Sequence, residues 1–263
     1  MSNLESLALN LSVRYYHRRN TFIDGNDLKK NILDHLPRLN KFTFNIHSEV
    51  ANPIDVPSNE DIQSTFTNFK DNRIISCVDY FQEENFSQCH IYSLPYTMKY
   101  YKNITNNFPG GIFECVQEIH LFDERPFEHE FFIQISRAFP FVKRLSLTNQ
   151  KPQQHKQSQR SFDQSSQEYS VIKYPYLIEI DLFNVHEDYV EQFLDHTKTC
   201  LPNNIRFMTA YQRVRSVTHE FTRETTRINC TKISYLCATH TFELTEKFVT
   251  YFPLVNPQLM FRK

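Results

Sequence analysis

Hydrophobic and polar positions alternate in a phrase that recurs along this chain. Each copy begins with leucine or an aromatic residue followed by proline, and continues as an apolar–polar–apolar run, at residues 36–44, 139–147 and 174–182. A version without the proline covers residues 113–121. The shared template is L-x-x-L-x-L, and amphipathic stretches of helical period lie between most copies. The pattern therefore predicts short strands alternating with helices.

The same pattern places the elements along the chain. After a first strand around Leu4, Leu7 and Leu9, the predicted strands cover residues 42–46, 74–78, 90–92, 117–122, 142–148, 177–183, 204–209 and 232–237. The predicted helices cover residues 97–107, 127–139, 187–196, 218–227 and 242–251. Two earlier helices are predicted from their caps, one at Asn26-Asp27 and one at Ser58 with Asp61 three residues later.

The last apolar positions of successive strands recur with a period of 25–28 residues. Leu121 and Leu147 are 26 residues apart, and Phe207 and Tyr235 are 28 apart. One interval is longer, and it contains the polar, Gln-rich residues 149–170, which we expect to form a mobile insertion between repeats. Strand-plus-helix units with a period of about 20–29 residues are typical of leucine-rich repeats.

We therefore expect an α/β fold in which residues 1–263 form a single leucine-rich-repeat-like solenoid domain. Its parallel sheet would be curved, with the sheet on the concave side and the helices on the convex side. The competing interpretation is an ordinary α/β sheet domain. That fold predicts uneven strand spacing and glycine-bearing ligand loops at the strand ends.

The composition of the chain argues against several classes of function. The chain has only three glycines, so phosphate-binding loops and dinucleotide fingerprints are missing, and we predict no cofactor. The formal net charge is −1 and the basic residues are dispersed among acids, so we predict no nucleic-acid binding. No run approaches the roughly 18 apolar residues of a membrane span, so we predict no membrane association. The opening residues lack a secretion signal, which favours an intracellular protein, cytoplasmic or nuclear.

Candidate catalytic and metal residues form no recognisable set. Cys237 and His240 make one C-x-x-H pair without a second pair at zinc-finger distance, and His186 and His196 lack a third ligand. Serine, histidine and aspartate are plentiful but lie in no known catalytic context. We therefore predict no metal site and no enzymatic activity.

The outward side of the predicted strands is the best candidate site. In L-x-x-L-x-L the apolar residues point to the core and the intervening residues point outwards, because side chains alternate along a strand. A polar strip of mixed charge on the concave face is suited to binding another protein. Its predicted members are Thr43, Glu118, His120, Arg144, Ser146, Glu179, Asp181, Arg206 and Ser234.

With these phrases laid out, the chain resembles the F-box/leucine-rich-repeat-like proteins. The resemblance is carried by residues 36–45, 139–147, 174–183 and 228–236, and it covers the repeat region only. It implies a solenoid that selects a target protein for a ubiquitin-ligase adaptor. The F-box pattern itself is missing here, so ubiquitin-ligase subunits are expected as partners only if an upstream F-box exists. The alternative function is an enzyme whose active-site residues come from unrelated parts of the fold.

Overall fold

The chain folds as two units, each with its own sheet. One unit comprises residues 1–98 and 107–109, and the other comprises residues 99–106 and 110–263. The structure, a computed structural model, describes residues 3–15, 21–67, 69, 73–154, 171–237 and 245–256. The fold is α/β, with one mixed sheet and two parallel sheets.

The first unit is built on a four-stranded mixed sheet in the order β1-β2-β4-β3. Its strands β1 and β2 are parallel, whereas β4 is antiparallel to both β2 and β3. The β3–β4 hairpin turns at Asn85, whose φ of 49° lies in the left-handed region that asparagine tolerates. The elements are β1 (Ser6–Tyr15), α1 (Gly25–Asn31), a 3₁₀ turn (Leu33–His35), β2 (Lys41–Ala51), α2 (Asn59–Ser64), β3 (Ile74–Phe81) and β4 (Phe86–Ser93).

The core of the first unit lies between one face of this sheet and its two helices. The sheet contributes Phe44, Ile46 and Ile91, on which α1 places Leu28 and α2 places Ile62. The α2 helix begins with the predicted capping box. The Ser58 hydroxyl accepts from the backbone N–H of Asp61 at 3.1 Å, while the Asp61 carboxylate accepts from the backbone N–H of Ser58 at 2.9 Å.

The second unit is built on a six-stranded parallel sheet in the order β5-β6-β7-β9-β11-β12. A separate pair of short parallel strands, β8 and β10, lies outside this sheet. The elements are β5 (Tyr100–Ile104), β6 (Glu118–Phe122), α3 (His129–Ala138), β7 (Arg144–Asn149), β8 (Ile172–Lys173), β9 (Glu179–Val185), α4 (Glu187–Leu194), β10 (Thr199–Cys200), β11 (Ile205–Met208), α5 (Tyr211–Val217), α6 (Glu224–Cys230), β12 (Ile233–Cys237) and α7 (Glu246–Tyr251).

Large aromatic side chains fill the core of the second unit. Phe132 of α3 meets Phe193 of α4 edge-on, with ring centroids 5.5 Å apart. Phe113 and Phe139 stack at 5.1 Å, and Tyr101 of β5 meets Phe139 edge-on at 5.7 Å. Such offset and T-shaped pairs are the arrangements that aromatic quadrupoles favour. The abundance of Phe and Tyr in this unit is therefore largely core filling.

Four predictions about the elements are wrong. The N-cap of α1 is Asp24, whose Oδ1 accepts from the backbone N–H of Asp27 at 2.9 Å, and not Asn26-Asp27. Residues 97–107 form no helix, because Tyr100–Ile104 pairs with β6 as a strand. Asn103 within it has a φ of 51°, which a right-handed helix does not allow. The predicted helix 218–227 is replaced by two shorter helices on either side of Thr218–Arg223. Residues 149–154 are not a mobile insertion, since Gln153 is buried and its backbone N–H donates to Asp188 at 2.9 Å. The remainder of that predicted insertion, residues 155–170, lies outside the described residues.

The single curved parallel sheet expected for the whole chain is not found in the described residues. The antiparallel pairs of β4 make the first sheet mixed, and its strands share no ladder with those of the second unit. The long run of parallel strands lies in the second unit, whereas the first unit has one parallel strand–helix–strand pair, β1-α1-β2. That the two units together make up one domain over residues 1–263 stays a prediction.

Candidate functional site

The six-stranded sheet has one buried face and one face that is partly exposed, which we call the open face. The buried face carries the apolar positions of the recurring phrase, including Leu121, Leu147 and Leu182. The positions between them lie on the open face, as the alternation predicted. Eight of the nine predicted site residues are carried by strands of this sheet: Glu118, His120, Arg144, Ser146, Glu179, Asp181, Arg206 and Ser234. The ninth, Thr43, lies on β2 of the first unit, where it pairs with Ala8.

The parallel register aligns one residue from each strand in a row across the open face. Each member is the direct register partner of the next, so the positions follow the spacing of neighbouring strands, about 4.8 Å. We call this set the charge row: Tyr100, Glu118, Arg144, Glu179, Arg206 and Tyr235. Its four central members are acidic, basic, acidic and basic, and a tyrosine stands at each end.

Two ion pairs join the charged members of the charge row. Oε2 of Glu118 accepts from Nη2 and Nε of Arg144 at 2.9 and 3.2 Å. Nε of Arg206 lies 3.2 Å from Oε2 of Glu179. The hydrogen bond from Arg144 to Glu118, followed by the attraction of the two charges, raises the pKa of Arg144 above its usual value. Both arginine side chains are more than half exposed, at 60% and 51%, so these pairs contribute little to stability.

The sequence-based reading missed the two tyrosines of the charge row. Tyr235 is paired with Arg206 and lies under its guanidinium, 4.9 Å from the ring centroid, as in a cation–π contact. The core position of β12 is occupied by Leu236, the register partner of Phe207. The phrase had assigned Tyr235 to the core. Ile205 pairs with Ile233 but Arg206 pairs with Tyr235, so Ser234 is skipped and the register of β12 against β11 shifts by one residue. The alternation of apolar and polar residues along β12 could not predict this shift.

A second row on the open face is polar but carries less charge. His120, Ser146, Asp181 and Met208 are register partners in that order. Nδ1 of His120 lies 2.9 Å from Oδ1 of Asn103. Burial lowers the pKa of His120 below its ordinary value, against a smaller opposite effect of Asp181. His120 is therefore uncharged at neutral pH.

An open depression of about 540 Å³ lies at the β5–β6 end of this face, lined by Lys102, Glu118, His120 and Ser146 among others. It lacks the arrangement of a nucleophile and its base. The Ser146 hydroxyl donates to the backbone oxygen of Ile119 at 3.4 Å, and the ring nitrogens of His120 contact Asn103 and Thr148. Since an activated serine needs its base within hydrogen-bond distance, this pair is not set up for nucleophilic catalysis.

The cysteines and histidines offer no second centre in the part of the chain that the structure describes. There, no three histidine, cysteine, aspartate or glutamate side chains converge as metal ligands would. Burial raises the pKa of the Cys77, Cys89 and Cys230 thiols, that of Cys89 to about 12, so these thiols are protonated at neutral pH. His240 of the Cys237–His240 pair lies outside the described residues.

Comparisons with known proteins leave the open face as the main guide to function. Each helix in the described ranges is too short or too polar to traverse a bilayer. Comparison of the chain with models of protein families, with curated proteins and with solved structures found no match in any of the three.

Proposed function

We propose that this chain is a non-enzymatic protein-interaction module that binds a protein partner on the open face of its six-stranded sheet. The observation that carries the proposal is the charge row. Four formal charges of alternating sign stand in register on four neighbouring strands, from Glu118 to Arg206. Alternating charge at fixed spacing rejects partners with the wrong sequence of charges, because like charges brought together cost several kcal/mol. The backbone hydrogen bonds between these strands fix this spacing.

We further propose that the second unit is leucine-rich-repeat-like. Its strands follow one another across the sheet in chain order, all parallel, with helices between β6 and β7 and between β9 and β12. A solenoid is defined by structural units that stack in chain order and contact only their neighbours. In this proposal the open face corresponds to the outward-facing side of the strands predicted from sequence, and the protein acts inside the cell.

The resemblance to F-box adaptors extends this proposal to the choice of partner. In that role the open face would select a substrate protein for ubiquitylation, and ubiquitin-ligase subunits would bind only if an F-box is present upstream. The alternative, an enzyme with dispersed catalytic residues, receives no support from the contacts of His120 and Ser146. Chemical conversion of a captured partner would support the enzyme instead.

Affinity capture with a matched control tests the proposal. The face variant combines Arg144→Ala, Glu179→Gln and Asp181→Asn, which removes one positive and two negative charges from the open face. The control variant combines Arg215→Ala, Glu220→Gln and Glu224→Gln, which removes the same charges from exposed positions on and beside α5 and α6. Both should keep the thermal midpoint of the wild type, since exposed ion pairs contribute about 0–1 kcal/mol.

Quantitative mass spectrometry of proteins captured by the wild type and by both variants gives the readout. We expect the same partner to be enriched by the wild type and by the control variant, and to be lost with the face variant. If the face variant keeps every partner of the wild type, the open face is not the binding site. Recovery of ubiquitin-ligase subunits would support the adaptor role specifically.

A further inference from the structure

The charge row is complementary to itself when it is reversed. Read from β5 to β12 it is Tyr, Glu, Arg, Glu, Arg, Tyr, and read in the opposite direction each glutamate meets an arginine and each tyrosine meets a tyrosine. The centre of this reversal lies between Arg144 on β7 and Glu179 on β9, which is also the centre of the six-stranded sheet. Such a surface satisfies the condition for an isologous two-fold interface.

We propose that the occupant of the open face is a second copy of this chain, bound about a two-fold axis that runs along the strands between β7 and β9. This rests on the proposed function, because it assigns a partner to the same face. The rotation reverses the order of the strands and keeps their direction, so the two sheets pack face to face with nearly aligned strands. It places Glu118 opposite Arg206 of the second copy and Arg144 opposite Glu179 of the second copy.

The internal ion pairs do not prevent these contacts. Both hydrogen bonds of Arg144 go to one oxygen of Glu118, and a carboxylate can accept about four hydrogen bonds. The side chains of Glu118, Arg144 and Arg206 are each at least half exposed, and that of Glu179 is 25% exposed. Each carboxylate can therefore accept from a guanidinium of its own chain and from one of the second copy, which forms a network of alternating charges.

The second polar row is compatible with the same rotation. His120, which is uncharged, would lie opposite Met208 of the second copy, and Ser146 would lie opposite Asp181. A hydroxyl can donate to a carboxylate, and this row brings no two like charges together. The two rows thus agree on one docking geometry.

An exposed aromatic pair lies at the amino ends of the two central strands. Phe141 and Tyr176 stand three residues before Arg144 and Glu179, with ring centroids 5.3 Å apart. They are 41% and 52% exposed, and Ile178 beside them is 51% exposed. The proposed axis passes between the two strands that follow them, so the aromatic pair of each copy lies at the same end of the interface. These side chains would add an apolar contact at that end of the interface.

The size of the face sets the strength of the dimer. Five inter-strand gaps of about 4.8 Å and strands of about five residues give a face of roughly 24 by 17 Å, or about 400 Å² per copy. A total of about 800 Å² is below that of stable complexes, so the dimer should be weak, with a dissociation constant on the order of tens to hundreds of micromolar. Screening should weaken it further at about 1 M salt, where the Debye length is about 3 Å.

Charge-swapped variants of the full chain test this geometry. The first combines E118R with R144E, and the second combines E179R with R206E. Each keeps the amino-acid composition, the net charge and an ion pair within the swapped strands. In a homodimer of either variant, however, arginine faces arginine and glutamate faces glutamate. A mixture of the two variants, and the quadruple variant that carries all four changes, restores opposite charges at every position.

Sedimentation equilibrium over a range of concentrations at low salt is the measurement. We expect the wild type to dimerise, each double variant to bind itself at least about tenfold more weakly, and the mixture and the quadruple variant to recover association. If one double variant fails to fold, the other still decides the test, because each alone places like charges opposite each other. A wild type that stays monomeric up to about millimolar concentration at low salt overturns the proposal. Dimers that ignore the swaps also overturn it, because they would use another surface.

These outcomes can be told apart from failure of the proposed function. A monomeric wild type that still captures a partner, and loses it in the face variant, leaves the interaction module intact and removes only the second copy as its occupant. A dimer that follows the swaps, with no other protein captured through the open face, supports self-association alone.

Discussion

At the scale of single residues, the second unit depends on buried polar side chains that satisfy backbone groups between elements. Asn229 is fully buried, and its Nδ2 donates to the backbone oxygens of Phe193 and Thr199 at 3.0 and 2.6 Å. Its Oδ1 accepts from the backbone N–H of Leu201 at 3.2 Å. One asparagine thus links α6 to the end of α4 and to the residues around β10. Sequence reasoning missed it, because the predicted helix ended at residue 227 and α6 extends to Cys230.

Asn229→Ala should destabilise the protein strongly. The substitution leaves three buried backbone groups without a partner, and each such group costs about 1–3 kcal/mol. We expect a loss of about 3 kcal/mol or more in the free energy of unfolding, measured by denaturant titration. Asn203→Ala, at an exposed position, is the control and should change little. A small effect of Asn229→Ala would contradict this, and would show that water enters the space left by the side chain and binds the three backbone groups.

In the first unit, Gly25 at the start of α1 likewise lies at a contact between two segments of the chain. A Cβ at this position would stand 2.4 Å from the backbone oxygen of Thr65, and the Gly25 N–H donates to the Thr65 hydroxyl at 2.8 Å. Glycine is therefore required by the close approach of α1 to the segment after α2. Its backbone has no positive φ that would demand glycine.

Gly25→Ala should separate the two segments and lower stability by about 1–3 kcal/mol, the usual cost of overpacking. Asn26→Ala, one residue later and exposed, should be near neutral. Chemical denaturation followed by circular dichroism measures both. Equal stabilities of the two variants would contradict the close packing at Thr65.

At the scale of elements, apolar periodicity identified the strands better than the helices. The phrase located β6, β7 and β9 to within about two residues, because their alternation is that of a half-buried strand. It failed at Tyr100–Ile104, where the left-handed Asn103 interrupts the alternation and pairing with β6 decides the conformation. Register between strands, and therefore the charge row, was not visible along the chain. It depends on how strands far apart in sequence align, which a single bulge can change.

The edge strand β1 of the first unit should be weakly protected. In the described sheet it pairs only with β2, and most of its residues are exposed or half-exposed. We expect backbone amides of Ser6–Tyr15 to exchange with solvent at least about tenfold faster than those of β2, because local opening of an edge costs less than opening the core. Hydrogen exchange with mass spectrometry measures this, and equal protection of β1 and β2 would contradict it.

At the scale of the whole molecule, each unit contains a buried or partly buried histidine that resists protonation. In the first unit, Nε2 of His90 lies 2.6 Å from Oδ1 of Asn45, and its ring is 5.7 Å from that of His47, centroid to centroid. Burial, and secondly the neighbouring His47, lowers the pKa of His90 well below its ordinary value. His120 of the second unit is shifted in the same direction by burial.

Stability should therefore fall as the solution is acidified. The unfolded chain binds a proton at the ordinary histidine pKa of about 6.5, whereas folded His90 does not, so the unfolded state gains protons and is favoured below that pH. We expect the free energy of unfolding to decrease from about pH 6.5 downwards, with a slope of at most about 1.4 kcal/mol per pH unit for this group.

Thermal and chemical unfolding between about pH 7.5 and 5 measures this dependence. His90→Gln, which keeps an amide donor for Asn45, should reduce the slope and leave the part due to His120, whereas His35→Gln at an exposed position should leave the profile unchanged. A wild-type stability that is constant over this range would contradict the assignment of a neutral, buried His90.

The sequence by itself determined the α/β class, most strands of the second unit, the α2 capping box and eight candidate residues carried by strands of one sheet. All of these follow from side-chain period and local hydrogen bonds, which are properties of neighbouring residues. Only the tertiary structure decided that the chain has two sheets, that Thr43 belongs to the other one, and that two tyrosines end a row of alternating charges. Those features depend on the pairing and register of strands distant in sequence, where backbone hydrogen bonds and core packing, rather than local pattern, select the arrangement.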